Sequence, residues 1–314
     1  MVKVNIASVK PEVTQEKISE LLKETFYQPI RDLTPVQGGL VAQTLSFKAG
    51  DGDYILRFMS GSMEASYQKE AFIYQNFATP EIPIPPIIKT GKFDDLFYCI
   101  TRKMPGRGLK SLSDAEYQQI LPGLAQTLHA IHKSDVSRWK GYGWIGDDGA
   151  GLFQTWKRFI AHANEEERPD GFFGQWHSLF ETSFLERARF DEYYGRMLPL
   201  LEACPEGRYL LHGGYGYDNV LAQDGRVTAV LDWEAMYGDF AYDIACIDFW
   251  PRGVDHVELF RRHYAEKGMP LENYRERIAC YKHYMGLDAM KFFAKTNNRQ
   301  AYGYVCQILD KLQP

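Results

Sequence analysis

The chain has 314 residues, 45% of them hydrophobic and 25% charged, a balance that excludes the disordered, collagenous and coiled-coil classes. Its 36 Lys and Arg against 41 Asp and Glu give a net charge of -5, and without an extended basic stretch a nucleic-acid partner is not expected. The five cysteines form no C-x-x-C pair and no apolar run approaches the roughly 18 residues that span a bilayer. We therefore expect a soluble cytoplasmic protein with reduced thiols and no membrane partner.

The first hundred residues predict a β-rich region. Apolar side chains recur at helical spacing after Thr14, which is a suitable N-cap, and later segments change to two-residue alternation. The predicted elements are a helix at 14–26, a hairpin of strands at 41–48 and 54–59, a helix at 64–77, and strands at 87–90 and 96–102.

Beyond residue 104 the periodicity is mainly helical, interrupted by a strand-like island at 209–232. The predicted helices cover 114–132, 153–163, 181–204 and most of 256–312. At about 150 residues per domain, two domains are expected, and we place them at 1–104 and 105–314. The fold class is α+β.

The segment Gly141-Tyr-Gly143-Trp-Ile-Gly146 spells the G-x-G-x-x-G of dinucleotide-binding proteins. A functional copy follows a strand and opens a helix, whereas this one follows a predicted helix and carries two aromatic residues where the pyrophosphate would lie. We therefore predict a turn here and no dinucleotide site.

The strand island contains a candidate metal site. Asp224-Gly225 is typical of a two-residue hairpin turn, and continuing outward from it places 219 opposite 230 and 217 opposite 232. Asn219 and Asp232 then emerge at the same end of one hairpin, where an amide and a carboxylate oxygen suit Mg²⁺ with phosphate ligands. The alternative is a solvated hairpin in which Asp232 caps the following segment.

Several motifs together resemble the aminoglycoside phosphotransferase family, which has the protein-kinase-like fold. They are H-G, then Asn219-Val-Leu after five intervening residues, then Leu231-Asp-Trp233, Gly238-Asp239 and Tyr242-Asp243. The resemblance implies a bilobal fold with a small β-rich N-terminal lobe and a larger, mainly helical C-terminal lobe. It also implies a monomer that uses ATP and Mg²⁺ to phosphorylate a hydroxyl of an aminoglycoside such as hygromycin B, which would confer resistance.

The resemblance assigns nucleotide-binding roles to the N-terminal lobe. Arg57 stands where kinases carry a phosphate-binding lysine, and Glu70, in the next helix, is its expected partner. An edge-strand arginine with a solvated glutamate is the alternative. Gly38 and Gly39 would approach the phosphates, and the hinge residues Thr101 and Lys103 would contact adenine; glycines before a hairpin are, however, a weak signal by themselves.

The catalytic loop departs from the family at one position. In the family's H-G-D the aspartate accepts the proton of the attacking hydroxyl, but this chain has His212-Gly213-Gly214. We expect His212 to brace the loop and Gly214 to lower activity, because general-base assistance is worth about 10²–10⁴-fold. Gly214 could be an engineered change, the mark of a member that has lost activity, or a position served by another carboxylate; the intact motif around it favours a recent or deliberate change.

The helical region offers acidic candidates for binding the acceptor, namely Glu234, Asp255 and Asp288. Two other functions stay open. The chain could phosphorylate another small molecule, such as choline, a macrolide or a sugar. It could also be a pseudokinase that binds nucleotide or drug without turning it over.

Overall fold

The computed structural model describes residues 10–36, 42–60, 64–166, 172–250 and 252–312. Its N-terminal region is a five-stranded antiparallel sheet in the order β1-β2-β3-β5-β4. The strands are β1 (Ile30–Pro35), β2 (Gln43–Ala49), β3 (Gly52–Ser60), β4 (Ile87–Phe93) and β5 (Leu96–Arg102). The helices α1 (Gln15–Thr25) and α2 (Glu64–Phe77) accompany this sheet.

The two faces of strand β3 pack against different parts of the N-terminal region. Because successive side chains point to opposite faces of a strand, Leu56 and Phe58 are buried with α1, whereas Arg57 points to the other side. On that other side, Cys99 of β5 and Tyr67 of α2 pack together. Alternation along one strand thus places the arginine between the sheet and α2.

The C-terminal region is mainly helical. Its helices are α3 (Asp114–His132), α4 (Trp156–Ala161), α5 (Leu179–Thr182), α6 (Arg187–Leu201), α7 (Ala241–Phe249), α8 (His256–Glu266), α9 (Tyr274–Lys295) and α10 (Arg299–Lys311). A buried core, which includes Trp156, Tyr193 and Leu287, joins α4, α6 and α9. Within the described residues, no helix is long and apolar enough to cross a bilayer.

Two small antiparallel sheets carry the loops of this region. One has the order β11-β10-β6 and the other β8-β7-β12-β9. Their strands are β6 (Arg107–Gly108), β7 (Tyr142–Ile145), β8 (Gly151–Phe153), β9 (Tyr209–Leu211), β10 (Val220–Gln223), β11 (Arg226–Val230) and β12 (Met236–Gly238).

Most predicted elements are confirmed, including the helices at 64–77 and 114–132 with their bounds. The second begins with a capping box between Ser113 and Glu116, which fixes its start. Helix α7 was not predicted because its buried residues lie on all sides, so the sequence shows no helical period there. The predicted helix at 153–163 is shorter, since 151–153 belong to β8.

The hairpin turn is confirmed, with Asp224 at φ 51° and Gly225 at φ 70° as a type I′ turn requires. The predicted register beyond it is wrong by one residue, because a bulge between Leu221 and Ala222 pairs Val220 with Val230. The turn predicted at 141–146 is also wrong, because this segment contains strand β7. The element that follows β7 is a second strand and not a helix.

A buried neutral histidine makes the fold sensitive to acid. His283 on α9 is 3% exposed, and burial, helped by Arg196, lowers its pKa to about 4. The unfolded chain protonates histidine near pH 6.5, so the stabilisation is complete above that pH and is lost as the pH falls from 6.5 towards 4. Between pH 7 and 5, we expect the free energy of unfolding of the wild type to fall by about 2 kcal/mol more than that of His283→Leu. Urea unfolding at both pH values measures this difference. Parallel losses in both proteins would contradict this prediction.

Candidate active site

A cleft with a volume of about 1270 Å³ lies in the C-terminal region. The loop after β9, the segment before β12 and the helices α7 and α9 form its walls. The predicted site residues that line it are Gly214, Asn219, Glu234 and Asp288. Residues far apart in the sequence therefore meet at one cavity.

His212 braces the loop, as predicted, and its side chain is fully buried. Its Nε2 donates to the carbonyl of Leu231 at 2.8 Å, and its Nδ1 accepts from the amide of Gly214 at 3.0 Å. Burial lowers the pKa of His212, which agrees with the neutral ring that these two bonds require.

Asp243 of α7 also holds the loop that contains His212. Its carboxylate accepts from the amides of His212 and Gly213, both at 2.8 Å, and from Nε2 of His132 at 3.0 Å. Sequence reasoning missed this role. The available signal was an aspartate among apolar neighbours, since a buried carboxylate needs several hydrogen-bond donors.

Gly214 has room for a side chain. Its carbonyl accepts from Nδ2 of Asn219 at 3.0 Å, and a Cβ added at Gly214 would lie 3.3 Å from that nitrogen. The nearest obstacle is thus the end of a flexible amide, and the backbone of Gly214 is not left-handed. An aspartate fits here after a shift of a few tenths of an ångström.

Asn219 and Asp232 lie at the same end of the hairpin despite the changed register. The amide of Leu231 donates to the carbonyl of Asn219 at 2.7 Å, and Asp232 follows it in a left-handed conformation, φ 55°, with its side chain exposed. Because Nδ2 of Asn219 donates to the loop, Oδ1 is the atom of this side chain that would serve as a metal ligand. These two oxygens suit Mg²⁺, which takes its other ligands from phosphate and water, although the described residues hold no cluster of three or more His, Cys, Asp or Glu.

Arg57 and Glu70 pair as predicted. Nη2 of Arg57 donates to both carboxylate oxygens of Glu70, at 2.5 and 2.7 Å. Burial opposes the charge of Arg57, but Glu70 outweighs it and holds the pKa of Arg57 above its ordinary value. Arg57 therefore stays protonated between the sheet and α2, with its charge balanced by Glu70.

The other residues predicted to contact the nucleotide are Thr101, Lys103, Gly38 and Gly39. Thr101 is buried in β5, and the amide of Lys103 donates to the carbonyl of Asp53 at 2.9 Å, so that amide is already engaged. Gly38 and Gly39 lie outside the described residues.

Of the three acidic acceptor candidates, two line the cleft. Glu234 lines the cleft. The protein atoms around its carboxylate displace water, and together with the charge of Asp288 they raise the pKa of Glu234 to about 7, while Lys69 acts to lower that pKa. Nζ of Lys69 donates to the carbonyl of Glu234 at 2.8 Å, a link from α2 that sequence reasoning missed. Asp255 does not line the cleft, because its carboxylate caps α8 by accepting from the amide of Glu258 at 2.9 Å.

Comparison with known proteins gives concordant matches. A profile of the phosphotransferase enzyme family, APH, matches residues 32–277. Hygromycin-B 4-O-kinase of Escherichia coli is 31% identical over 283 residues, which cover 90% of this chain and 80% of that protein. A thermostable mutant of the aminoglycoside phosphotransferase APH(4)-Ia, solved as a ternary complex with AMP-PNP and hygromycin B, has a TM-score of 0.79 and 29% identity over 94% of this chain and 97% of its own. Another APH(4)-Ia crystal structure has a TM-score of 0.80 and 29% identity over 95% of this chain and 97% of its own.

Proposed function

This chain belongs to the APH phosphotransferase enzyme family, and from that premise we propose that it transfers the γ-phosphate of ATP to a hydroxyl of hygromycin B or a similar aminoglycoside. The observation that carries the proposal is the cleft beside the loop of Gly214, with Asn219 and Asp232 close to it. The phosphate added to the drug would give resistance.

The fold class predicted from the sequence is confirmed. A β-sheet N-terminal region precedes a helical C-terminal region, and the whole matches kinase-like aminoglycoside phosphotransferases. We assign residues 1–104 to a nucleotide-binding lobe and 105–314 to a lobe that holds metal and acceptor, in a monomeric cytoplasmic enzyme.

The residues present fit a nucleotide and a magnesium ion. Arg57, held by Glu70, would bind phosphate oxygens. Adenine would lie beside residues 101–103, where the amides of Arg102 and Lys103 already donate within the protein, so their carbonyls would be the groups that contact it. Asn219 and Asp232 would hold Mg²⁺, which neutralises charge on the phosphates when it is bound. His212 and Asp243 keep the loop in place while the acceptor hydroxyl approaches it.

Gly214 favours a second candidate function. With no carboxylate at this position, the chain could bind nucleotide and acceptor with little turnover. Phosphoryl transfer depends largely on positioning and electrostatic stabilisation. We therefore expect slow turnover and not a complete loss of it. A kinase for choline, a macrolide or a sugar would share the nucleotide site and differ in the acceptor cleft.

The test is a coupled assay of ADP release with Mg-ATP and hygromycin B, run on the wild type and on Gly214→Asp. We expect ADP release above the ATP-only background in both proteins, and faster release in the variant. If neither protein releases ADP while both bind AMP-PNP, either hygromycin B is not the acceptor or the chain is a binder without turnover, and a panel of choline, macrolides and sugars follows.

A further inference from the structure

A second cavity lies away from the cleft of Gly214. Its volume is about 640 Å³, within the range of small-molecule sites, and the residues that line it all differ from those that line the cleft. Its walls are helix α3, the end of α8, the turn of the β10-β11 hairpin and the loop after α2. The proposed phosphoryl transfer uses none of these walls.

Two cationic side chains without partners line the second cavity. Arg226 opens β11 and Lys267 directly follows α8, and both are exposed. Within the described part of the chain, neither side chain makes a hydrogen bond or an ion pair. Glu81 is the one carboxylate among the described residues of this lining, so positive charge is in excess.

Two neighbouring histidines of the lining carry buried nitrogen atoms. His129 of α3 and His263 of α8 have ring centroids 5.6 Å apart, with an interplanar angle of 79°. The Nε2 atom of each ring is buried, and no described residue forms a hydrogen bond with it. Because an unpaired buried polar atom is destabilising, two such atoms side by side mark a position where a polar ligand adds stability.

The electrostatic surroundings of the two rings favour an anion over a metal ion. Burial lowers the pKa of His129 to about 4, and the nearby Lys133 and Lys267 add to this effect. Burial also lowers the pKa of His263, where Lys267 adds to the effect and Glu266 opposes it. Positive charge therefore predominates around the rings. A neutral imidazole can still donate from Nε2 to an oxygen of an anion.

The rest of the second cavity suits the organic part of a ligand. A phosphate group alone is much smaller than 640 Å³. The amide of Gln126 offers further hydrogen bonds, and apolar surface comes from Pro80, Pro83, Pro122 and Val227. Apolar walls with a few polar groups are typical of small-molecule sites.

We propose that the second cavity binds a small organic molecule that carries a phosphate group. Arg226 and Lys267 would balance the phosphate, which has about two negative charges at pH 7, and arginine can hold two of its oxygens at once. Nε2 of His129 and of His263 would donate to the remaining oxygens. This proposal is independent of the proposed function, because no residue assigned to nucleotide, metal or acceptor lines the second cavity.

Calorimetry on the full chain tests this binding. The probes are glucose 6-phosphate, inorganic phosphate and, without the charge, glucose, each titrated with saturating AMP-PNP and Mg²⁺ so that the nucleotide site is occupied. We expect a Kd below about 1 mM for glucose 6-phosphate, weaker binding of inorganic phosphate, and no binding of glucose at the same concentrations.

A pair of double variants separates the second cavity from general attraction by surface charge. We expect Arg226→Gln with Lys267→Gln to weaken the binding of glucose 6-phosphate at least about tenfold. Lys23→Gln with Lys311→Gln is the matched control, because it removes the same charge at exposed positions that do not line the second cavity. Its Kd should equal that of the wild type.

Nitrogen NMR of the histidine rings locates the bound phosphate. Glucose 6-phosphate should shift the ¹⁵Nε2 signals of His129 and His263, which His129→Gln and His263→Gln assign, and should leave those of His212 and His283 unchanged. His212 bonds to the amide of Gly214 beside the cleft, so a phosphate bound in the cleft would move the His212 signal instead.

Four results would each overturn the proposal. They are no binding of glucose 6-phosphate, equal affinity in the wild type and in Arg226→Gln with Lys267→Gln, a shift of the His212 signal without shifts at His129 and His263, and inorganic phosphate that binds as tightly as glucose 6-phosphate. None of them bears on ADP release with hygromycin B, so the proposed function stands or fails separately.

Discussion

Gly214→Asp is expected to increase kcat for phosphoryl transfer by about 10²–10⁴-fold. The loop around position 214 is already fixed by His212 and by the Asp243 carboxylate, so the new side chain enters a preorganised backbone. The atom nearest to an added Cβ is the amide nitrogen of Asn219 at 3.3 Å, and the His212 ring is at ordinary contact distance. The carboxylate can therefore reach the cleft and accept the proton of the attacking hydroxyl.

Two control variants separate general-base assistance from a simple gain of charge. Gly214→Asn has nearly the shape of the aspartate but cannot accept the proton as a carboxylate does. Gly216→Asp adds the same charge two residues along the loop, where a Cβ has no neighbour within 4 Å. Neither control should match the gain in kcat. Equal kcat in the wild type and Gly214→Asp would show that position 214 does not limit turnover and that another group already assists the hydroxyl.

The sequence predicts best those features that are local. Helix α3 has a clear apolar period and a capping box, and the turn at Asp224-Gly225 has the two residue types that its backbone needs. The hairpin register could not be predicted because a single bulge changes it, and a bulge has no distinct residue signal here. Helix α7 lacks a period because all its faces are buried.

The same distinction applies to the candidate site. His212, Asn219 and Asp232 lie within one short stretch of chain, so motif spacing alone groups them. Asp243, Lys69 and Trp250 join the site through tertiary packing from other elements. Their side-chain types are ordinary for their segments, and only the folded structure shows that Trp250 lines the cleft while Asp243 and Lys69 bond to the backbone of residues beside it.

Asp232→Asn is expected to lower kcat by about 10²–10³-fold, because the loss of an anionic metal ligand removes several kcal/mol of charge stabilisation at the phosphates. The side chain of Asp232 is exposed, and its left-handed backbone, φ 55°, is one that asparagine tolerates well. The fold should therefore be unchanged. We would measure ADP release in the wild-type and Gly214→Asp backgrounds, so that slow basal turnover does not hide the loss.

Asp224→Asn is a matched control for this change. Asp224 has the same left-handed backbone, φ 51°, and lies at the opposite end of the same hairpin, away from the cleft. Thermal melts with Mg²⁺ and AMP-PNP give a readout independent of turnover, since a ligand that binds only the folded state raises Tm. We expect that rise to persist in Asp224→Asn and to shrink in Asp232→Asn. If both variants keep the full rise and full kcat, Asp232 does not hold the metal, and the hairpin end serves only to position the loop that contains Gly214.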